Sequence, residues 1–295
     1  MQPVKRTALT LARTTTRPAL LCHACSRPRP RPQPRHQPLS TAAPAPALSG
    51  LATLTSRRLL SLSGPDAAKF LQGAITANLT TASPSSPGFY AAFLTAQGRV
   101  LHDVFIYPSP SSPSTYLLEV DAPHAPGLQR HIKRYQLRSK FSVTLLSPSD
   151  LTVQHLWGGP PPPSSLPEGT ITLPDPRAPG LGWRVLSPSP LTPTASENTY
   201  HLHRYLHGVA EGQSEMLRDV ALPLESNLDL MGGVDFRKGC YVGQELTIRT
   251  RHRGVVRKRV LPCVLYRVGE EVPRGLGYDA EGVDGRWIPG EASDE

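Results

Sequence analysis

Cysteine is scarce in this chain of 295 residues, with only Cys22, Cys25, Cys240 and Cys263 present. Cys22 and Cys25 form a Cys-x-x-Cys pair, but no second pair completes a tetrahedral metal site. Thiols so few and so spaced exclude a disulfide framework and are typical of a reducing compartment. They also exclude a permanent cluster held by four cysteines of the C-terminal half, which contains Cys240 and Cys263 alone.

Long apolar runs and nucleotide-binding loops are also missing. No apolar run approaches the roughly 18 residues that a transmembrane helix needs, so we expect a protein without a membrane span. No Gly-x-Gly-x-x-Gly follows a predicted strand, and no Walker-type phosphate loop occurs. Dinucleotide and nucleotide binding therefore gain no support.

Acidic residues are absent from the N-terminal segment. Residues 1–45 contain eight basic residues and no acid, and the first acid is Asp66. Since this segment accounts for most of the net charge of +9, overall basicity does not predict a nucleic-acid partner. Arg, Ser and Thr without acids are typical of a mitochondrial presequence. We therefore assign residues 1–45 to a presequence and the protein to the mitochondrial matrix; a basic tail that is never cleaved is the alternative.

The rest of the chain mixes strands and helices. The patterns predict a strand over 58–63, a hairpin of strands 88–94 and 100–107, and helices around 128–135 and 197–206. Elements that do not alternate strictly favour an α+β architecture over a doubly wound parallel sheet. We expect a body over residues 46–262, decorated by irregular Pro/Ser-rich insertions at 158–193 that hold only short strands.

The residues around Cys240 are the densest in chemistry. Gly239 and Gly243 permit unusual backbone angles, and Lys238 adds a positive charge that favours a thiolate, which is both nucleophile and metal ligand. The alternative is a small buried apolar residue, which is common for free cysteine. A nucleophile would need a base, and no local motif joins a histidine to Cys240. One or two thiolates cannot complete a typical cluster, so metal binding predicts further ligands from a partner or a small molecule.

An eight-residue motif around this cysteine resembles a family signature. Residues 238–245 read Lys-Gly-Cys-Tyr-Val-Gly-Gln-Glu and resemble the signature of the YgfZ-type, folate-binding-like family, which is related to the glycine-cleavage T-protein. Further segments fit the same family in the same order, at 64–76, 96–99, 118–121, 135–138, 208–212 and 222–229. The resemblance covers residues 51–262, and an ordered series of motifs is specific.

The resemblance implies both a fold and a function. T-protein relatives have α+β modules around a central hole, followed by a small β-barrel, and resemble tetrahydrofolate binders. Mitochondrial members are iron–sulfur cluster assembly factors that act late, in 4Fe–4S maturation, with A-type scaffold proteins. Carried over, Cys240 is the reactive thiol or the ligand of a transient cluster shared with that partner. The other motif residues implied are Lys238, Gly239, Tyr241, Gly243, Gln244 and Glu245, with both glycines shaping the loop.

The sequence departs from the T-protein pattern in two places. Two adjacent aspartates, one needed for aminomethyl transfer, are matched here by His102 and Asp103, which puts that transfer in doubt. A tetrahydrofolate-dependent one-carbon transferase using Asp103 remains an alternative to cluster assembly, and an RNA-modification accessory is a third. Residues 263–295 are too few for a complete barrel, so we expect the remnant of a truncated barrel or a tail.

A basic run follows the motif from Arg249 to Arg259. Alternation predicts a strand over 247–251 that places Arg249 and Arg251 on one face. With Glu225, they are weak candidates for contact with a folate or another anion. An acidic partner surface, RNA and a merely solvated strand pair are the alternatives, and the lack of interleaved aromatic residues argues against RNA.

Overall fold

The computed structural model describes residues 47–79, 86–163, 165–254, 256–261 and 263. The predicted presequence, and all of the predicted barrel remnant except Cys263, lie outside these residues. The described strands are β1 (Gly50–Thr53), β2 (Arg57–Ser63), β3 (Phe89–Leu94), β4 (Val100–Pro108), β5 (Thr115–Asp121), β6 (Ser142–Leu145), β7 (Thr152–Trp157), β8 (Ile171–Pro174) and β9 (Trp183–Ser187). The α-helices are α1 (Ala67–Ala74), α2 (Ala125–Gln136), α3 (Glu197–Leu206) and α4 (Gln244–Arg253). This mixture confirms the predicted α+β class.

A five-stranded antiparallel sheet, in the order β3-β4-β5-β2-β6, forms the centre of the fold. Its strands alternate buried side chains between two faces. On β2, Leu60 and Leu62 face a core that includes Leu71 of α1 and Ile132 of α2. Leu59, the residue before Leu60, packs in a second core on the opposite face. Both faces of the sheet are therefore covered, which is why its strands are apolar along much of their length.

A four-stranded antiparallel sheet, in the order β1-β7-β9-β8, contains the predicted short strands of residues 158–193. Their presence is confirmed, but the expectation that this segment decorates the fold is wrong. β9 lies inside the sheet, hydrogen-bonded to both β7 and β8. The buried side chains of Leu173 and Leu186 join the core that includes Leu59. The proline-rich segment is therefore part of the architecture that builds the core.

Helices α3 and α4 test two of the sequence predictions. Helix α3 begins and ends where predicted, and Ser196 caps it by accepting the backbone N–H of Thr199 through its side chain. The strand predicted over 247–251 is wrong, because α4 occupies this segment. Gly243 and Gly254, with φ of 81° and 65°, bound α4 in the left-handed region. Within the described ranges, no helix is long and apolar enough to cross a membrane.

Candidate functional site

Cys240 lies in a short loop that leads into α4, and it is exposed to solvent. A Cβ on the preceding Gly239 would meet no atom within 4 Å, so the backbone before the thiol also faces open space. Cys263, the other described cysteine, is exposed as well. The alternative in which Cys240 is a small buried apolar residue is therefore wrong.

The second glycine of the motif is fixed by close packing. Gly243 has φ of 81°, and a Cβ there would lie 2.2 Å from the carbonyl oxygen of Thr95. Gly98, with φ of 82°, is also closely packed, because a Cβ there would lie 2.8 Å from the carbonyl oxygen of Gly243. The β3–β4 turn and the cysteine loop thus approach each other backbone to backbone, which only glycine permits at both positions. This contact joins two segments that the sequence presents as separate motifs.

Lys238 is buried and points into the fold. Its ammonium group donates to the backbone carbonyls of Gln72, Ile75 and Ala77 at 2.7, 2.7 and 2.9 Å. Three carbonyls take up all three donors of the group. Burial lowers the pKa of Lys238 to about 8, against a smaller opposing effect from Asp235. Lys238 therefore anchors the cysteine loop to the C-terminal end of α1.

The residues after the cysteine form a hydrogen-bonded turn that leads into α4. The backbone N–H of Tyr241 donates to the side-chain oxygen of Gln244, and the N–H of Gln244 donates to the carbonyl of Tyr241. Tyr241 is buried, and burial raises its pKa to about 12. The N–H of Val242 donates to the carbonyl of Gly73 in α1 at 3.1 Å. Glu245 is exposed in the first turn, where a carboxylate is favourable beside the helix dipole.

The predicted anion-contact residues are not gathered into one face. Arg249 and Arg251 are exposed on α4 and lie about 200° apart around its axis. Arg251 stacks on Phe236, with its guanidinium carbon 5.1 Å from the ring centroid. Glu225 lines a separate cavity of about 180 Å³ together with Thr247. The prediction that these arginines share one basic face assumed a strand. In the helix that is present, the two side chains lie on different faces.

Asp103 lies in the sheet interior and is fully buried. Its Oδ1 accepts the backbone N–H of Gly212 and the side-chain amide of Gln213, both at 3.2 Å. Its Oδ2 lies 3.5 Å from both the guanidinium of Arg57 and the hydroxyl of Tyr90. Four protein donors thus surround this buried carboxylate. The expectation of tetrahydrofolate binding stays a prediction.

His102 does not form a pair with Asp103, although the two are adjacent in sequence. Neighbouring residues of a strand point to opposite faces, and the His102 ring lies 6.2 Å from the ring of His124. Burial, with a smaller effect from Arg218, lowers the pKa of His102 to about 3. His102 is therefore a neutral side chain at neutral pH.

Asp103 belongs to a buried ionic core that the sequence did not reveal. We use this name for three arginines and four acids, which are Arg57, Arg177, Arg184, Asp103, Glu119, Asp175 and Glu211. Arg177 donates to Glu211 at 2.6 Å and twice to Asp175, at 2.8 and 2.9 Å. Arg184 also contacts Glu211. Burial alone would raise the pKa of Glu211, but the guanidinium groups of Arg184 and Arg177 hold that pKa well below its usual range. These charges bond one another, as buried charges must.

The described part of the chain has no group of three or more His, Cys, Asp or Glu side chains placed to hold a metal ion. The site that remains is a single exposed thiol on a loop fixed by Lys238 on one side and by Val242 and Gly243 on the other. Such an arrangement can offer one sulfur ligand to an incoming molecule.

The chain is similar in sequence to known fungal proteins. A protein named iron-sulfur cluster assembly factor IBA57 homolog, mitochondrial, from Chaetomium globosum is 51% identical over 94% of this chain and 73% of its own length. Proteins of the same name from Pyricularia oryzae and Neurospora crassa are 54% and 53% identical, and the chain covers 65% and 56% of their lengths. No protein-family model matches.

Among solved structures, the glycine cleavage system aminomethyltransferase T from Bartonella henselae matches with a TM-score of 0.53. The match covers 70% of this chain and 63% of the Bartonella protein, at 14% sequence identity. Similarity at this level supports the fold alone. The T-protein-like fold predicted from the motifs is thereby confirmed. With the high identity of the fungal relatives, the predicted family is confirmed too: the chain belongs to the IBA57 family of mitochondrial iron–sulfur cluster assembly factors.

Proposed function

We propose that this protein helps to assemble iron–sulfur clusters in the mitochondrial matrix by sharing a cluster with an A-type scaffold protein, with Cys240 as its ligand to that cluster. The exposure of Cys240 between buried, fixed neighbours is the observation that carries the proposal. Family membership supports the role in cluster assembly. The basic, acid-free residues 1–45 support the matrix as its location.

The proposed step is an exchange of ligands at iron, with no change of oxidation state. The Cys240 thiol gives its proton to water, and its sulfur then bonds to a cluster iron. A thiolate of the scaffold or of a small thiol leaves that iron and takes up a proton. Because Cys240 fills one position of the cluster, the remaining protein ligands come from the scaffold. The cluster then lies between two chains.

Contacts on both sides of Cys240 prepare the loop for this exchange. Lys238 fixes the preceding backbone through three carbonyls of the neighbouring segment. Val242 bonds to Gly73, and Gly243 packs on the β3–β4 turn. A loop that is already ordered loses little conformational entropy when a partner binds. The thiol can therefore be presented to a partner without reorganisation of the fold.

The test is to mix the purified protein with an A-type scaffold that carries a cluster, and to follow visible absorption during gel filtration. Wild type is compared with Cys240→Ser and Cys263→Ser, which each remove one exposed thiol. We expect wild type and Cys263→Ser to elute with scaffold and cluster together. Cys240→Ser should elute without the cluster absorption. A Cys240→Ser complex that retains the full absorption would contradict the proposal.

A further inference from the structure

A groove of about 820 Å³ lies between α1 and the end of α2. It is lined by Phe70 and Gly73 of α1, by Tyr135 of α2, and by Leu137 just after α2. Gly73 is exposed, and a Cβ at this position would meet no atom within 4 Å. The groove is therefore open and partly apolar, with room along the α1 side for a further side chain.

Leu137 is an unusual residue at this edge. Its φ of 47° is in the left-handed region, and its side chain is 88% exposed. With a ψ of −110° this is not the common left-handed helix cap, and glycine is the usual choice for such a positive φ, since a leucine there costs free energy. Tyr135 is also exposed, at 47%. Tyr135 and Leu137 thus place two exposed apolar side chains on the same groove, as is typical of a surface that contacts another molecule.

The rim of the groove is basic. Lys69 and Arg138 are exposed at the groove, and Arg134 and Lys140 are exposed nearby in the sequence. Asp66, the acidic residue of the lining, accepts the backbone N–H of Lys140 at 2.7 Å. This balance of charge favours a binding segment that carries carboxylates.

The groove is continuous with the cysteine loop. Val242 lines it, and the N–H of Val242 bonds to the carbonyl of Gly73. Cys240 precedes Val242 by two residues, so their Cα atoms lie within about 7 Å. A molecule seated in the groove therefore comes close to the exposed thiol.

We infer that this groove is the docking site for the A-type scaffold. An apolar side chain of the scaffold packs against Tyr135 and Leu137, while scaffold carboxylates face Lys69 and Arg138. Docking there brings the scaffold's cluster ligands to Cys240. This inference rests on the proposed function, because it names the surface by which the same partner approaches the same thiol.

Filling the groove is the first test, with affinity for the cluster-free scaffold as the readout. Gly73→Leu puts a side chain into the open groove and replaces a helical glycine by a better helix former. We expect the variant to unfold at the same or a higher temperature than wild type, and to bind the scaffold at least about tenfold more weakly. Gly159→Leu is the matched control, because a Cβ at this loop glycine also meets no atom within 4 Å.

Removing the exposed leucine is the second test. Leu137→Gly relieves the left-handed strain, so a purely structural role predicts unchanged or improved behaviour in every assay. We expect thermal stability to be kept or raised while affinity for the scaffold falls about tenfold. Leu230→Gly removes another exposed leucine, which lies outside the groove, and should leave affinity unchanged.

The outcomes separate this inference from the function on which it rests. All measurements are repeated in a Cys240→Ser background, where docking should persist although the cluster is not shared. If wild type does not bind the scaffold at all, the proposed function and this inference both fail. If wild type binds and shares a cluster, but Gly73→Leu and Leu137→Gly bind as wild type does, only the docking site is overturned.

Discussion

The ionic core and the cysteine loop use polar chemistry in opposite ways. In the ionic core, Asp103, Arg177 and Glu211 are buried and bonded to protein partners. In the loop, Cys240 is exposed while its neighbours Lys238 and Tyr241 are buried. The charges of the ionic core bond one another inside the fold, whereas the loop fixes its backbone and leaves one sulfur atom exposed. The ionic core is thus directed into the fold, whereas the loop leaves a thiol exposed, as the proposed function requires.

Removal of a charge from the ionic core should have the largest effect on stability. Glu211→Gln leaves Arg177 and Arg184 without the carboxylate that lies between them. We expect the free energy of unfolding to fall by about 3–5 kcal/mol, as is usual when one partner of a buried ion pair is lost. Chemical denaturation would measure this free energy. Cys240→Ser, at an exposed position, is the control, and its free energy of unfolding should lie within about 0.5 kcal/mol of the wild-type value. Equal losses in the two variants would break the comparison.

Substitution of the two glycines in the cysteine loop should give the next largest difference in stability. In Gly243→Ala the new methyl group meets the Thr95 carbonyl in a left-handed backbone, and we expect a loss of roughly 2 kcal/mol or more. Gly239→Ala enters open space and should cost less than about 0.5 kcal/mol. Denaturation curves of the two variants, side by side, measure the difference. A Gly243→Ala protein as stable as Gly239→Ala would mean that the turn does not fix the loop.

Mild acid should weaken the buried interior and spare the exposed loop. Burial lowers the pKa of both His102 and His155 to about 3, so the unfolded chain takes up these protons near pH 6.5 while the folded chain does not. Stability is therefore full above that pH and falls as the pH drops toward 3. As the pH falls from 7.5 to 5.5, each histidine should lower the free energy of unfolding by about 1.4 kcal/mol. His102→Asn should remove its own share of this loss; an unchanged acid dependence would show that His102 is not buried and neutral.

Several elements could be predicted because their signals are local. Apolar runs on either side of the turn at 96–99 predicted the hairpin of β3 and β4, and helix α3 occupies the residues predicted for it. Helix α4 was missed because Thr247 is its one buried residue, so no apolar stripe distinguishes a helix from a polar strand. The glycines at its ends, Gly243 and Gly254, were the remaining signal for its boundaries.

The ionic core could not be predicted, for a different physical reason. Its members come from β2, β4, β5, β9 and two loops, and no spacing along the chain relates Arg57 to Arg184 or Glu211. Charged residues are also expected on the surface. Within the candidate site, the sequence left open whether Cys240 is buried or exposed. It also could not tell where the Lys238 ammonium group points, since that depends on carbonyls far along the chain.

Alkylation of the two exposed cysteines within one molecule tests the central claim most directly. The full chain is treated with iodoacetamide in the presence of the cluster-free or the cluster-loaded A-type scaffold, and mass spectrometry follows Cys240 and Cys263 separately. We expect the loaded scaffold to slow the modification of Cys240 strongly and to leave Cys263 unchanged, because a thiolate bonded to iron does not react. Equal rates at Cys240 with the loaded and the cluster-free scaffold, while the two proteins co-elute, would contradict the account.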